Sequence, residues 1–311
     1  MVTANAVKSG TPSFPAILAA DEDARIIYIK RDRWISHPQA DRAIRRMRLT
    51  VTGEPSLRPR CVLVWGPSNV GKTATYKAFA KPYAAAAHFD PEEGVFHPSI
   101  LEVECPAEAD EARLFDTLLE KLEPFTSSSR GLVGSSLRVV HREAYRALED
   151  AAPMALSIDN LNNFAAFRGA GQTTTLNTLR RLSSVRRLPL IIMGTEAVHS
   201  ILRTDKQFLE RFSFIRLKGL SYDEFVIFSR RLLSTYPLRR STAIDEEAMK
   251  FVFEASEGII GRVVIHLREA AIFAIETGQE EITNSILRSD EVLEALEALK
   301  LVKVTSSRGH K

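Results

Sequence analysis

The sequence has two cysteines, Cys61 and Cys105, in 311 residues. That is too few for a disulfide framework, and their separation matches no zinc-binding spacing. Both lie in or beside apolar runs, so the expectation is two small buried residues in a reducing cytosol. Nowhere is there an apolar stretch long enough to span a bilayer. The opening residues MVTANAVKSGTPSF carry no apolar block of the kind found in a secretory leader. No membrane association is expected, and the expected location is cytoplasmic. A dominant charge is also missing. The formal net charge is +3 with 26% charged and 45% hydrophobic residues, values usual for a globular chain that name no partner. No internal repeat is present.

Local features make up for those absences. Basic residues cluster at Arg42, Arg45, Arg46 and Arg48, and again at Arg180, Arg181, Arg186 and Arg187. Such clusters attract phosphate backbones but are also common on solvated helix faces. Residues up to about 24 are rich in Ala, Ser, Pro and Gly and read as a mobile arm. IIYIKRDRWISHPQADRAIRRMRL then reads as a short extended piece followed by a helix from near Pro38. TGEPSLRP is a loop.

From there strands and helices alternate. CVLVW, SILEVE, PMALSID, LPLIIMG and SFIRL read as five strands. Between them lie helical patterns that include DEARLFDTLLEKL, a stretch after the loop SSSRGLVGSS, and the amphipathic run Thr174–Val185. This alternation predicts a three-layer α/β domain with a mostly parallel five-stranded sheet. From Ser221 onward the strand signal stops, and three or four helices make a second, all-helical domain. The expected organisation is an N-terminal arm and helical extension over 1–55, an α/β core over 56–218, a helical lid over 219–302 and a flexible tail over 303–311.

GPSNVGKT, residues Gly66, Pro67, Ser68, Asn69, Val70, Gly71, Lys72 and Thr73, fits G-x-x-x-x-G-K-[ST] with a strand before it and a helix after it. Backbone N–H groups at such a loop cradle phosphates. The lysine bridges the β- and γ-phosphates, and the hydroxyl of Thr73 ligates magnesium. The cofactors expected are therefore ATP and Mg²⁺. A carboxylate at the end of a neighbouring strand completes the magnesium shell, and Asp159, closing MALSID, is the candidate. A strand-end aspartate can also cap the turn that follows it. In many hydrolysing enzymes of this type the next residue is a glutamate that polarises water, whereas this chain has Asn160. A carboxamide cannot accept that proton, and no other carboxylate lies in DNLNNF. Thr195 ends the fourth strand, within reach of a γ-phosphate or lytic water. Arg211 ends a helix before the fifth strand, and Arg262 opens a helix of the second domain. These positions fit reporting of the γ-phosphate to a neighbouring subunit and to the lid.

The ordered set resembles the AAA+ ATPases, and among them the transposition regulators TniB and TnsC. The resemblance covers about residues 30 to 285 and rests on five segments: CVLVWGPSNVGKT; MALSIDNLNNF; LNTLRRLSSVRRLPLIIMGTEAVHSIL; DKQFLERF; and PLRRSTAIDEEAMKFVFEASEGIIGRVVIHLREAAIFAIETGQEEI. It implies an ATP-dependent homo-oligomer, a ring or filament on double-stranded DNA, that connects a target-selection protein to a transposase. Asn160 departs from the family pattern, in which Asp-Glu and a histidine are usual, so hydrolysis is expected to be slow or partner-stimulated. A ring around DNA needs cations facing inward, for which Lys77, Arg130, Arg138, Arg180 and Arg181 are candidates. Three other readings stay open: an ATP-gated DNA-binding scaffold with little hydrolysis, an AAA+ loader of DNA-processing proteins, and a small-molecule P-loop kinase.

Overall fold

In a computed structural model the residues described are 13–52, 60–84, 88–90, 95–97, 99–106, 111–125, 136–162, 170–184, 187–242 and 244–298. They divide into two compact units. One comprises residues 36–218, and the other joins the residues before 36 to those from 219 onward. The N-terminal extension, read from sequence as one piece running to residue 55, is thus shared between both.

The larger unit is built on a five-stranded sheet. In chain order the strands are β1 (Cys61–Trp65), β2 (His88–Asp90), β3 (Val95–His97), β4 (Ile100–Glu104), β5 (Ala155–Asp159), β6 (Leu190–Gly194) and β7 (Phe212–Arg216). The main sheet has the order β4-β5-β6-β1-β7, and every pairing in it is parallel. A parallel sheet is covered on both faces, so its central strands read as unbroken apolar runs. β1 and β6 are buried along their whole length. Alternate residues serve opposite layers. Val62, Val64, Ala155, Ile191 and Met193 pack with Ala43, Met47, Tyr76 and Phe79, from the helices Pro38–Val51 and Lys72–Ala84. Cys61, Leu63, Trp65, Leu156, Ile158 and Ile192 pack with Phe115, Leu118, Ala144, Leu148, Leu179 and Leu182. Those partners come from the helices Glu111–Leu122, Leu137–Ala151 and Ala170–Ser184. The result is a three-layer α/β architecture. β2 and β3 form a separate antiparallel hairpin that the sequence did not announce; strands of three residues are too short to show a period. Cys61 and Cys105 are both buried, and burial pushes the Cys61 thiol up to about 11.

The second unit is all-helical among the described residues. Its principal helices are Glu22–Lys30, Tyr222–Leu233, Glu246–Ser256, Ile260–Glu276 and Asp290–Ala298. Ile260–Glu276 is the central one: Val263, Leu267, Ala271 and Ile275 lie in a core with Ile29, Phe225, Leu232, Val252 and Leu296. His266 is also buried there; desolvation lowers its pKa, and its Nε2 lies 2.9 Å from the Leu287 carbonyl. Among the described residues no helix is long and apolar enough to cross a membrane.

IIYIK, expected to be extended, is helical instead, and a short helix Phe14–Leu18 falls in the stretch read as an arm. The β-branched Ile26, Ile27 and Ile29 favour a strand, but other forces win. Asp21 caps the helix by accepting from the Ala24 N–H at 2.8 Å. Arg25 is fully buried and donates to both carboxylate oxygens of Glu280, at 2.6 and 2.7 Å, and to the Pro237 carbonyl at 3.2 Å. Helical spacing is what puts Arg25 and Ile29 on the same buried face.

The hydrogen bonds from Arg25 hold the Glu280 carboxyl below its ordinary value of 4.5. A carboxyl that is more acidic in the folded state adds stability that is complete above the unfolded value. That stability is lost as pH falls through the folded value. Glu280→Gln, which leaves a buried guanidinium without its counter-charge, is expected to cost about 3–5 kcal/mol at neutral pH. The variant should also lose less stability than the parent below about pH 4.5. Urea unfolding at several pH values checks both, and equal midpoints for variant and parent would contradict the role given to this pair.

Candidate nucleotide-binding site

The loop after β1 is held at both ends by backbone contacts that exclude side chains. Gly66 donates to the Gly194 carbonyl at 3.3 Å, and a Cβ on Gly66 would lie 2.1 Å from the Leu217 carbonyl oxygen. Only glycine allows β1 and the exit of β7 to approach so closely. Just before it, Trp65 is stacked on His199 at 4.0 Å, with the Arg216 guanidinium 4.9 Å from its ring. Pro67, Ser68 and Asn69 are exposed, whereas Val70 is fully buried and anchors the loop in the core beneath the sheet. Asn69 has φ 62° and Gly71 φ 91°, left-handed conformations that asparagine tolerates and glycine adopts without cost. The helix starts at Lys72, and the Thr75 N–H and hydroxyl both donate to the Gly71 carbonyl, at 2.9 and 2.8 Å.

The first-turn N–H groups of this helix have no partner within the helix and point out of its start. Lys72 leans over the loop, its Nζ donating to the carbonyls of Pro67 at 2.8 Å and Gly66 at 3.1 Å. Burial lowers the ammonium pKa, and Asp159 opposes that effect. The Thr73 hydroxyl donates to Asp159 Oδ2 at 2.9 Å. Asp159 Oδ1 accepts from the Asn160 N–H at 2.7 Å. One oxygen of Asp159 thus caps its own turn, and the other faces the loop helix.

Two polar residues that sequence reasoning missed complete the strand ends. Asn162 accepts from the Thr195 N–H at 2.8 Å, tying the exit of β5 to the exit of β6. Glu104, the last residue of β4, accepts from the Asn160 side-chain amide at 3.0 Å. The only sequence signal for Glu104 is that SILEVE ends on an acid; nothing local says that β4 lies beside β5. Thr195 precedes the helix Glu196–Arg203, and its hydroxyl makes no cap hydrogen bond.

Arg211 and Arg262 are each engaged within their own unit. Arg211 ends the helix Lys206–Arg211 and its guanidinium approaches the Ser183 hydroxyl at 3.5 Å. Arg262 belongs to the other unit, on the first turn of Ile260–Glu276, and pairs with Glu257 at 2.7 Å. Arg180 is ion-paired with Asp205, donates to Asn177 at 3.0 Å and lies over Phe208. Arg181 stacks over Tyr145. Lys77 and Arg138 are exposed. Arg130 and Arg186 lie outside the described residues. Arg42, Arg45 and Arg48 are exposed on the helix Pro38–Val51, while Arg46 donates to the Ser213 hydroxyl at 2.8 Å.

Lys72, Thr73, the helix start and Asp159 fit a nucleoside triphosphate with its magnesium. The helix N-terminus and Lys72 would hold the phosphates. Thr73 and Asp159 offer two oxygens to a cation that usually keeps waters and phosphates as its other ligands. Magnesium bound there would neutralise phosphate charge.

The P-loop sheet together with a helical unit places the chain in the AAA+ fold class. The solved structures it resembles agree. The Aeropyrum pernix ORC1 protein in complex with DNA has a TM-score of 0.61 at 14% identity, over 88% of this chain and 69% of that one. Cdc6p from Pyrobaculum aerophilum has 0.59 at 15%, over 85% and 68%. The Aeropyrum pernix ORC2 protein, in ADPNP and ADP complexes, has 0.57 at 16%, over 88% and 74%. At these identities the likeness concerns the fold alone. The model of the bacterial TniB protein matches residues 25–222, and the chain belongs to the TniB family. No curated protein sequence matches it.

Gly66→Ala is expected to force β1 and the end of β7 apart, at a cost of about 1–3 kcal/mol. It should weaken ATP binding at least about tenfold, since each 1.4 kcal/mol of misplacement is a factor of ten. Titration with a fluorescent ATP analogue checks this, and unchanged affinity would refute the close-approach argument.

Proposed function

We propose that this chain is an ATP-dependent regulator of DNA transposition. In this reading it oligomerises on target DNA and links a target-selection protein to the transposase. The supporting observation is the Thr73–Asp159 hydrogen bond beside the P-loop in a chain of the TniB family. Its fold is shared with an ORC1 protein solved in complex with DNA and an ORC2 protein solved with ADPNP and ADP. ATP with Mg²⁺ is the ligand, and the γ-phosphate is the signal. Arg211 and Arg262 would respond to it, one toward a neighbouring subunit and the other from the lid, with Thr195 nearest the lytic water. An interface complete only with γ-phosphate present makes assembly and ATP binding reciprocally linked.

DNA contact would come from exposed cations repeated on every subunit, so that avidity multiplies weak contacts. Lys77 and Arg138 suit this better than Arg180, whose guanidinium is already occupied by Asp205 and Asn177. The exposed Arg42, Arg45 and Arg48 join them as candidates. The site of action would be the cytoplasm, where target DNA lies. Asn160 favours a second reading, an ATP-gated scaffold that hydrolyses little. Turnover that is slow alone and raised by a partner separates the regulator from the scaffold.

With duplex DNA and ATP, negative-stain images are expected to show rings or filaments, and with ADP dispersed protein. Lys72→Ala, which removes the phosphate-bridging cation, should abolish the assemblies. Monomers under every condition, or undiminished assembly by Lys72→Ala, would overturn the proposal. DNA affinity should fall log-linearly with salt, with a slope of about −0.9 per phosphate neutralised.

A further inference from the structure

We infer that Glu104, at the end of β4, is the general base for ATP hydrolysis, and that Asn160 holds it and the attacking water in place. The inference rests on the ATP-binding reading above and assigns the proton acceptor that the segment after Asp159 lacks.

The position of Glu104 follows from register. Glu104 on β4 is the paired residue of Asp159 on β5, and both close their strands. Neighbouring strands lie about 4.8 Å apart, so the two carboxylates emerge at the same edge one strand apart. They also share a face. Leu101 and Val103 point into the core on one side of the sheet, so Glu102 and Glu104 point to the other. Asp159 reaches the loop helix through Thr73 from that same side. Glu104 therefore stands on the nucleotide side of the sheet, not behind it.

Asn160 connects the two strands. Its φ is 56°, a left-handed turn that asparagine tolerates better than most residues, and its N–H is occupied by Asp159 Oδ1. In that conformation its side-chain amide donates to Glu104 Oε1 at 3.0 Å. Among the described residues Asn160 is the hydrogen-bond partner of the Glu104 carboxylate, which is otherwise exposed to solvent. A carboxylate has about four acceptor positions, and the contact with Asn160 uses one. The Asn160 carbonyl oxygen is an additional acceptor. A water between the two can give one hydrogen to the Asn160 oxygen and the other to Glu104. The amide does the orienting that it is capable of, and the carboxylate takes the proton that the amide cannot.

The step balances. The water oxygen forms a bond to the γ-phosphorus while the bond from that phosphorus to the bridging oxygen breaks, its electron pair staying on ADP. The water proton passes to Glu104 and then to solvent, so ATP and water give ADP, phosphate and a proton. The rival account makes Glu104–Asn160 a strand-end tie with no chemistry. The two differ in one respect: a tie survives replacement of the carboxylate by an amide, and a base does not.

Glu104→Gln keeps the acceptor oxygen for the Asn160 amide but removes the basic oxygen. In single-turnover hydrolysis by the full-length protein, assembled with duplex DNA and radiolabelled ATP, it should lower the rate about 10²–10⁴-fold. ATP affinity should stay within about threefold, since a base acts on the transition state and not on ground-state binding. The exchange Glu104→Gln with Asn160→Glu, which moves the carboxylate one strand over, should recover most of the loss. An unchanged rate in Glu104→Gln would overturn the inference. So would a parent protein that binds ATP and does not hydrolyse it, an outcome that leaves the ATP-gated scaffold intact. Failure of the parent to bind ATP would sink the nucleotide reading beneath it, and the inference with it.

Discussion

The hydrogen bond from Thr73 to Asp159 joins two strands that are not neighbours. β6 lies between β1, which launches the loop, and β5, which carries the aspartate. Two strand spacings amount to roughly 10 Å, too far for a hydroxyl on β1 itself to reach across. The loop covers that distance by carrying the chain away from β1 to the start of its helix. For the contact to form, the carboxyl ends of β5, β6, β1 and β7 must be level, and backbone and amide bonds make them so. Gly66 donates to Gly194, Leu217 to Trp65, Leu161 to Met193, and Thr195 to Asn162. A side chain at Gly66 or a slip of one residue in any strand would pull this edge apart. The site is in that sense a property of sheet register more than of the loop.

Legibility in the sequence follows the range of each interaction. The five strands, the loop and the helix after it were all readable, because apolar runs bounded by Gly and Pro are local signals. The segment Glu22–Lys30 was misread because its helix is decided by Glu280, which lies 255 positions from Arg25. Among candidate site residues, those inside a contiguous motif can be nominated by type and spacing, and the structure places the Thr73 hydroxyl in hydrogen-bond contact with Asp159. Glu104 and Asn162 were invisible for a different reason. Their meaning depends on which strand lies next to which, and strand order is not written in any window of sequence. Basic clusters show the converse limit: the sequence shows that Arg180 is a cation but not that Asp205 is paired with it.

The helical unit depends on one buried charge pair in a comparable way. A buried ion pair adds little net stability over an apolar pair of similar size, because desolvation offsets most of the attraction. It does penalise alternatives, since any packing that separates Arg25 from Glu280 leaves a charge buried alone. The pair therefore selects one docking of the N-terminal helix among many that Ile29 and its apolar neighbours would accept. Glu280 reinforces this by accepting from the Arg239 N–H at 3.4 Å, while its own N–H donates to the Ala274 carbonyl at 2.8 Å. A second fixed point lies at Gly258, whose carbonyl accepts from Leu220 at 2.8 Å. That turn, with Glu257 and Gly258 both at positive φ, leads directly into the helix that carries Arg262.

Holding a nucleotide and destroying it are separable tasks, and in the proposed reading they fall to different strands. Lys72, Thr73 and Asp159 belong to the loop helix and to β5, which has a paired strand on each side. Glu104 belongs to β4, paired on one side only within the main sheet. An edge strand has half the hydrogen bonds that position a central one. A base placed there would be positioned less firmly than Thr73 and Asp159, so small shifts of β4 would change the rate of hydrolysis while leaving affinity nearly untouched. In the proposed ATP-gated assembly, that separation would allow the rate of hydrolysis to be adjusted without loosening the hold on the nucleotide.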